Sequence, residues 1–171
     1  MSALETQKNN FKESAVLTDS LLSAHDYFNN VGAVLKKYFP DDQDDEIAVL
    51  TNIAQKKIPP DEVSVQLQKF VYRYSSAAEA LKNIKAPSNS TALHAGFTNS
   101  LGNIALSLKE ISNFSSDPIL GSIGIQSYRI EAARSRVLFA HAKDFAKKHD
   151  ISFTKNDPGY ELQRYYERIK I

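Results

Sequence analysis

The sequence predicts an all-α protein, an antiparallel helical bundle of about five main helices plus a short C-terminal helix. Three observations predict it. Apolar residues recur at steps of four and three in three long stretches. The first is Leu17, Leu21, Ala24, Phe28, Val31, Leu35 and Tyr38; the second is Val63, Leu67, Phe70, Tyr74, Ala77, Leu81 and Ile84. The third is Leu93, Phe97, Leu101, Ile104, Leu108 and Ile111. That spacing gathers each set on one helix face and leaves the other faces polar, so the stripes must bury against one another. Of the six prolines four fall between these stretches and two after the last, and none falls inside one. No strand pattern competes, since Ile151-Ser152-Phe153-Thr154 is too short to build a sheet.

The first helix is expected from near Asn9 or Asn10 to Tyr38, where Phe39-Pro40 stops it, because a residue before proline avoids the helical region. Asp41, Asp42, Asp44, Asp45 and Glu46 then favour the positive end of a short second helix, with Lys56 and Lys57 suited to its other end. Pro60-Asp61-Glu62 opens a third helix that runs to about Lys85 and breaks at Ala86-Pro87. Ser88, Asn89 and Ser90 are N-cap residue types for a fourth, which continues to Ser112 or Asn113. Asp117 caps the fifth, with Pro118 at its first position, and it extends to about His149. Gly121, Gly124, Ala132, Ser135, Ala142 and Ala146 lie close to one side of it, so a neighbouring backbone can approach there. Asp157-Pro158-Gly159 opens the last helix, from Tyr160 to about Lys170. The expected common core is Leu21, Phe28, Leu35, Leu67, Phe70, Leu81, Phe97, Leu101, Ile104 and Leu108.

Composition narrows the function classes. With 171 residues the chain is expected to form one domain, 1–171, with residues 1–8 disordered, and it is long enough to bury a core without staples. No cysteine is present, which excludes disulfides, thiolate–metal sites and thiol catalysis. A net charge of +1 gives no global attraction to nucleic acid or anionic membrane. The opening Met1 to Asn10 lacks the basic and apolar regions of a signal peptide. No stretch is apolar for long enough to span a bilayer, so no membrane insertion is expected.

Motifs for chemistry are scarce. Of the four histidines, His25, His94, His141 and His149, none has the glutamate three residues earlier that a di-metal bundle uses; those positions hold Leu22, Thr91, Leu138 and Ala146. His25 with Asn29, and His141 with Asp144, are spaced to meet on one helix face. Counted from Asp41, the acidic run puts Glu46 and Asn52 where a calcium loop needs glycine and glutamate. The glycines at 121 and 124 match no phosphate loop or nucleophile elbow. No enzyme, no catalytic metal and no cofactor is therefore expected.

Two groups remain as a candidate interaction surface. Arg129, Arg136 and Lys143 recur every seven residues and share a face of the fifth helix, within a basic set that includes Arg134, Lys147 and Lys148. Such a face suits phosphates, although Glu131 and Asp144 interrupt it, and it equally suits solvent. Tyr160, Arg164 and Tyr165, with Tyr166 and Arg168, combine aromatics and arginines as contact surfaces do. A terminal helix packed on the bundle with its hydroxyls in water would use the same residues.

Lys85-Ala86-Pro87-Ser88 through Leu93-His94, Asn99-Ser100-Leu101, Ser116-Asp117-Pro118-Ile119 and Tyr128 form a further pattern. Over about 84–128 it resembles uncharacterised helical, exported proteins of candidate-phyla (Parcubacteria-type) bacteria. The resemblance implies an extracytoplasmic or cell-envelope location and a non-enzymatic role, and it carries no site residues. The expected function is a helical interaction or scaffold domain, the soluble part of a bacterial surface or envelope protein, with another protein as partner. A small-molecule-sensing bundle and an intracellular regulator binding nucleic acid through helix 118–149 are the alternatives.

Overall fold

The computed structural model describes residues 23–40, 46–59 and 62–168, with side chains as far as Tyr165. The described residues form six α-helices and one short 3-10 turn, with no strand. The helices are α1 (Ala24–Tyr38), α2 (Glu46–Ala54), α3 (Val63–Lys82), α4 (Thr91–Ser112), α5 (Pro118–Lys148) and α6 (Tyr160–Arg168). None is long and apolar enough to cross a membrane. The expected start near Asn9, the stripe residues Leu17 and Leu21, the acids at 41–45, Pro60 and Asp61 lie outside the described residues.

Local chemistry sets most of the boundaries. Ser23 caps α1 by accepting the Asp26 N–H at 3.0 Å, and the chain leaves the helix at Phe39-Pro40. After α2, Lys56 takes a left-handed φ of 55°, and the Lys57 N–H returns to the Asn52 carbonyl at 2.8 Å. Before α4 the structure corrects the capping expectation. Ser88–Ser90 form the 3-10 turn, and the Ser90 hydroxyl donates to Asn89 Oδ1 instead of accepting a helix amide. Asp117 does cap α5, accepting the Ile119 and Leu120 N–H groups at 3.1 and 2.9 Å.

Helices α3, α4 and α5 pack side by side with α4 in the middle, and α1 and α6 lie against that row. Pairing of α4 with α5 is antiparallel, because Gly124 meets Ser107 and Ile111 while Gly96 meets Leu138. One apolar core results. Phe28, Leu35, Leu67, Phe70, Leu81, Phe97, Leu101, Ile104 and Leu108 are all buried in it, as the stripes predict. The end of the bundle is tied by polar contacts. The Tyr74 hydroxyl, buried on α3, donates to Glu46 Oε1, and Tyr128 Oη approaches the same oxygen at 3.5 Å, which holds the start of α2 on the row. The loop before α6 sits on α1, where the Gly159 N–H donates to Asn29 Oδ1 at 2.9 Å.

Close backbone approach makes glycine necessary at Gly124. A Cβ there would stand 2.8 Å from the Ser107 carbonyl oxygen and the Ile111 nitrogen, both main-chain atoms that cannot move aside singly. Gly102 differs, since its nearest obstacle would be the Ala78 Cβ at 4.0 Å. Gly124→Ala should therefore separate α4 from α5 and cost about 1–3 kcal/mol. Gly102→Ala should gain up to about 1 kcal/mol of helix propensity. Denaturant titration of the two variants checks the opposite signs.

Candidate functional site

Helix α5 carries the features that are not explained by packing alone. Its 31 residues reach about 46 Å at 1.5 Å per residue. Its inner face buries four small residues, Gly121, Gly124, Ser135 and Ala142, together with Glu131 and Phe139. This is the side the sequence marks for close approach, although Ala132 and Ala146 are half-buried rather than buried. Four large β-branched residues face the other way, while Ile125, also exposed, lies off their line. Ile119 is 76% exposed, Ile123 50%, Ile130 52% and Val137 56%. At about 100° per residue all four fall within about 40° of one line along the helix. Gln126 and Ala133, both exposed, and half-buried Ala140 lie between them.

Beside this line a groove of about 630 Å³ runs between α4 and α5. Asn99, Ser100 and Asn103 line it from α4, and Glu131, Arg134, Val137, Leu138 and His141 line it from α5. Glu131 is 7% exposed and is matched by Arg134, whose Nη1 donates to Glu131 Oε1 at 2.6 Å. The Ser100 and Ser135 hydroxyls are buried together and bond to each other. Each serine has the other as its partner rather than a base, so the arrangement favours orienting a polar group over activating a nucleophile. Among the described residues no group of three His, Asp or Glu side chains is placed to hold a metal ion.

The basic triad is split in exposure. Arg129 and Lys143 are exposed and Arg136 is half-buried, all on one flank of the isoleucine line. The tyrosine–arginine group is not one surface. Tyr165 is buried at 8% exposure, with its ring 4.6 Å from Phe139 and 5.4 Å from Phe39. Its hydroxyl donates to Tyr74 Oη at 3.3 Å, not to water, and burial pushes its ionisation well above the usual phenol range. The cause is that Leu162 and Tyr165, three apart, form the face by which α6 docks. Tyr160 and Arg164 are half-buried, and Arg164 is paired with Glu161 Oε1 at 2.9 Å. The side chains of Tyr166 and Arg168 lie outside the described residues.

Sequence reasoning missed the isoleucine line. The signal was present, since Ile123, Ile130 and Val137 repeat every seven residues just as Arg129, Arg136 and Lys143 do. The histidines serve as packing elements. His25 stacks on Phe153 at 5.1 Å and lies 3.3 Å from Asn29 Nδ2, and His149 packs on Phe145 at 4.3 Å. His141 stands in the groove. No protein family matches the chain, and no curated protein or solved structure matches it.

His94 makes the fold sensitive to pH. Its Nδ1 lies 3.3 Å from the hydroxyl of buried Tyr27, and the ring tautomer decides which group donates. Burial lowers its pKa below the ordinary 6.5. The unfolded chain then binds the proton more readily than the folded one, so stability is fully present above that value and is lost as pH falls below it. Denaturant midpoints measured from about pH 7.5 down to about pH 5.5 should decline in the parent. The decline should be smaller in His94→Gln, and equal slopes would contradict the assignment.

Proposed function

We propose that this chain is a non-enzymatic helical interaction domain, a scaffold that receives another protein along the outer side of α5. The observation that supports it is the line of Ile119, Ile123, Ile130 and Val137, each at least half exposed, on a helix already anchored by its opposite side. Soluble proteins scatter exposed apolar side chains singly; a contiguous line of large ones marks a contact surface. Val65 and Tyr72 on α3, Leu106 on α4, Phe114 after it and Ile125 off the line on α5 are exposed too, but no four of them share one line. The reading uses Arg129, Arg136 and Lys143 as flanking charges of the contact. It gives Tyr165 a role in the core. The resemblance over 84–128 favours the cell surface or envelope as its setting.

A second reading, a small-molecule sensor, is favoured by the groove between α4 and α5. Its volume of about 630 Å³ falls in the range of ligand pockets, and Asn99, Asn103 and His141 offer it polar contacts. Interaction is preferred because the buried polar groups of the groove already satisfy one another: Glu131 with Arg134, Ser100 with Ser135.

A photo-crosslinking residue placed at Ile130, with Val65 as the control position, tests the proposal in extracts of the source cells. The expected result is a discrete protein adduct from position 130, absent from position 65 and lost when Val137→Asp is added. Equal adducts at both positions, or none, would contradict it. A nuclease-sensitive adduct would favour the nucleic-acid regulator instead.

A further inference from the structure

We infer that the partner is an amphipathic helix with acidic flanks, which lies along α5 as the second strand of a short coiled coil. This rests on the interaction reading and specifies its partner. The residues at 119, 123, 126, 130, 133, 137 and 140, all exposed except half-buried Ala140, alternate steps of four and three, the seam spacing of a heptad. Ile123, Ile130 and Val137 take the a positions, where β-branched residues favour two strands. Gln126, Ala133 and Ala140 take the d positions, leaving room for large side chains from the incoming helix, while one polar Gln fixes register. From Ile119 to Ala140 the seam covers about three heptads, roughly 32 Å. Asp144, at the next a position, ends it.

The flanks identify the occupant. Positions g hold Arg129, Arg136 and Lys143, and positions e hold Ser127, Arg134 and His141. No carboxylate stands on either flank. Arg134 is tied to Glu131 through one nitrogen, yet its side chain is 69% exposed, so its other donors face outward. Two copies of this chain would oppose like charges in either orientation: g meets e in a parallel pair, and g meets g in an antiparallel one. A bilayer surface is a poorer fit, because the line is narrow, three of its seven seam positions are alanine or glutamine, and none is an aromatic or leucine that could insert. Phosphates would match the positive charge of the flanks and leave the isoleucines in water. Glutamates at the flanks of a leucine-seamed helix match the charge and cover the isoleucines.

Three synthetic helices of equal length test this against the full chain by fluorescence anisotropy. One has a leucine seam with glutamate flanks, one the same seam with lysine flanks, and the third is a scramble of the first. The glutamate-flanked helix should bind about tenfold or more tightly than the other two. Arg129→Glu with Lys143→Glu, both at exposed positions, should shift the preference toward the lysine-flanked helix with an unchanged circular dichroism spectrum. Equal binding of the scramble would reduce the effect to bulk charge and overturn the inference. So would stronger binding to phosphatidylserine vesicles than to the helix, or a dimer of the chain abolished by Ile130→Asp. A specific protein adduct at position 130 without an acidic-helix preference would overturn this inference and leave the interaction reading standing. Loss of both results would overturn both.

Discussion

Everything distinctive about this bundle depends on how closely α5 approaches α4. Gly124 lies where a Cβ would meet main-chain atoms of Ser107 and Ile111 at 2.8 Å, so the two helices touch through backbone. Further along, the buried Ser100 and Ser135 hydroxyls bond to each other and keep the approach close. Contact at this distance fixes the rotation of α5 about its own axis. Once Gly121, Gly124, Ser135 and Ala142 are inside, Ile119, Ile123, Ile130 and Val137 must be outside. The inner face is small at four positions and buries one large apolar ring, Phe139, while four β-branched residues are turned to solvent.

The rest of the molecule is arranged to support that row without covering it. Helix α6 docks through Leu162 and Tyr165, placing the Tyr165 ring on Phe139 of α5 and its hydroxyl on Tyr74 of α3. Helix α1 packs Phe28 against Phe145 and accepts the Gly159 amide at Asn29. Helix α2 has no buried residue, and Glu46 at its start is held by Tyr74 and Tyr128. Those contacts that touch α5, at Tyr128, Phe139 and Phe145, reach it away from the isoleucine line. The exposed apolar surface is therefore a result of packing elsewhere.

Much of the fold was legible because its signals are local. Prolines, Asp117 as a cap and the four-and-three stripes act within one or two helical turns, and the helix limits follow them closely. The inward face of α5 could also be read, since a row of glycine, serine and alanine on one side has few other uses. One failure depended on a partner distant in sequence. Whether Tyr165 meets water or Tyr74 is decided 91 residues away. The Ser90 side chain, which has a cap residue's chemistry, was drawn to Asn89 by the 3-10 turn. The isoleucine line escaped because apolar residues on two sides of one helix leave open which side is buried. Only the approach at Gly124 decides that.

Hydroxyl-radical footprinting of the isolated full chain tests the central claim most directly, because it reads side-chain accessibility residue by residue. Ile123, Ile130 and Val137 should be modified readily, at rates comparable to one another, while Leu101, Leu108 and Phe97 in the core stay protected. Protection of Ile130 and Val137 to the level of Leu101 in a monomeric sample would contradict the account, since the outer side of α5 would then already be covered.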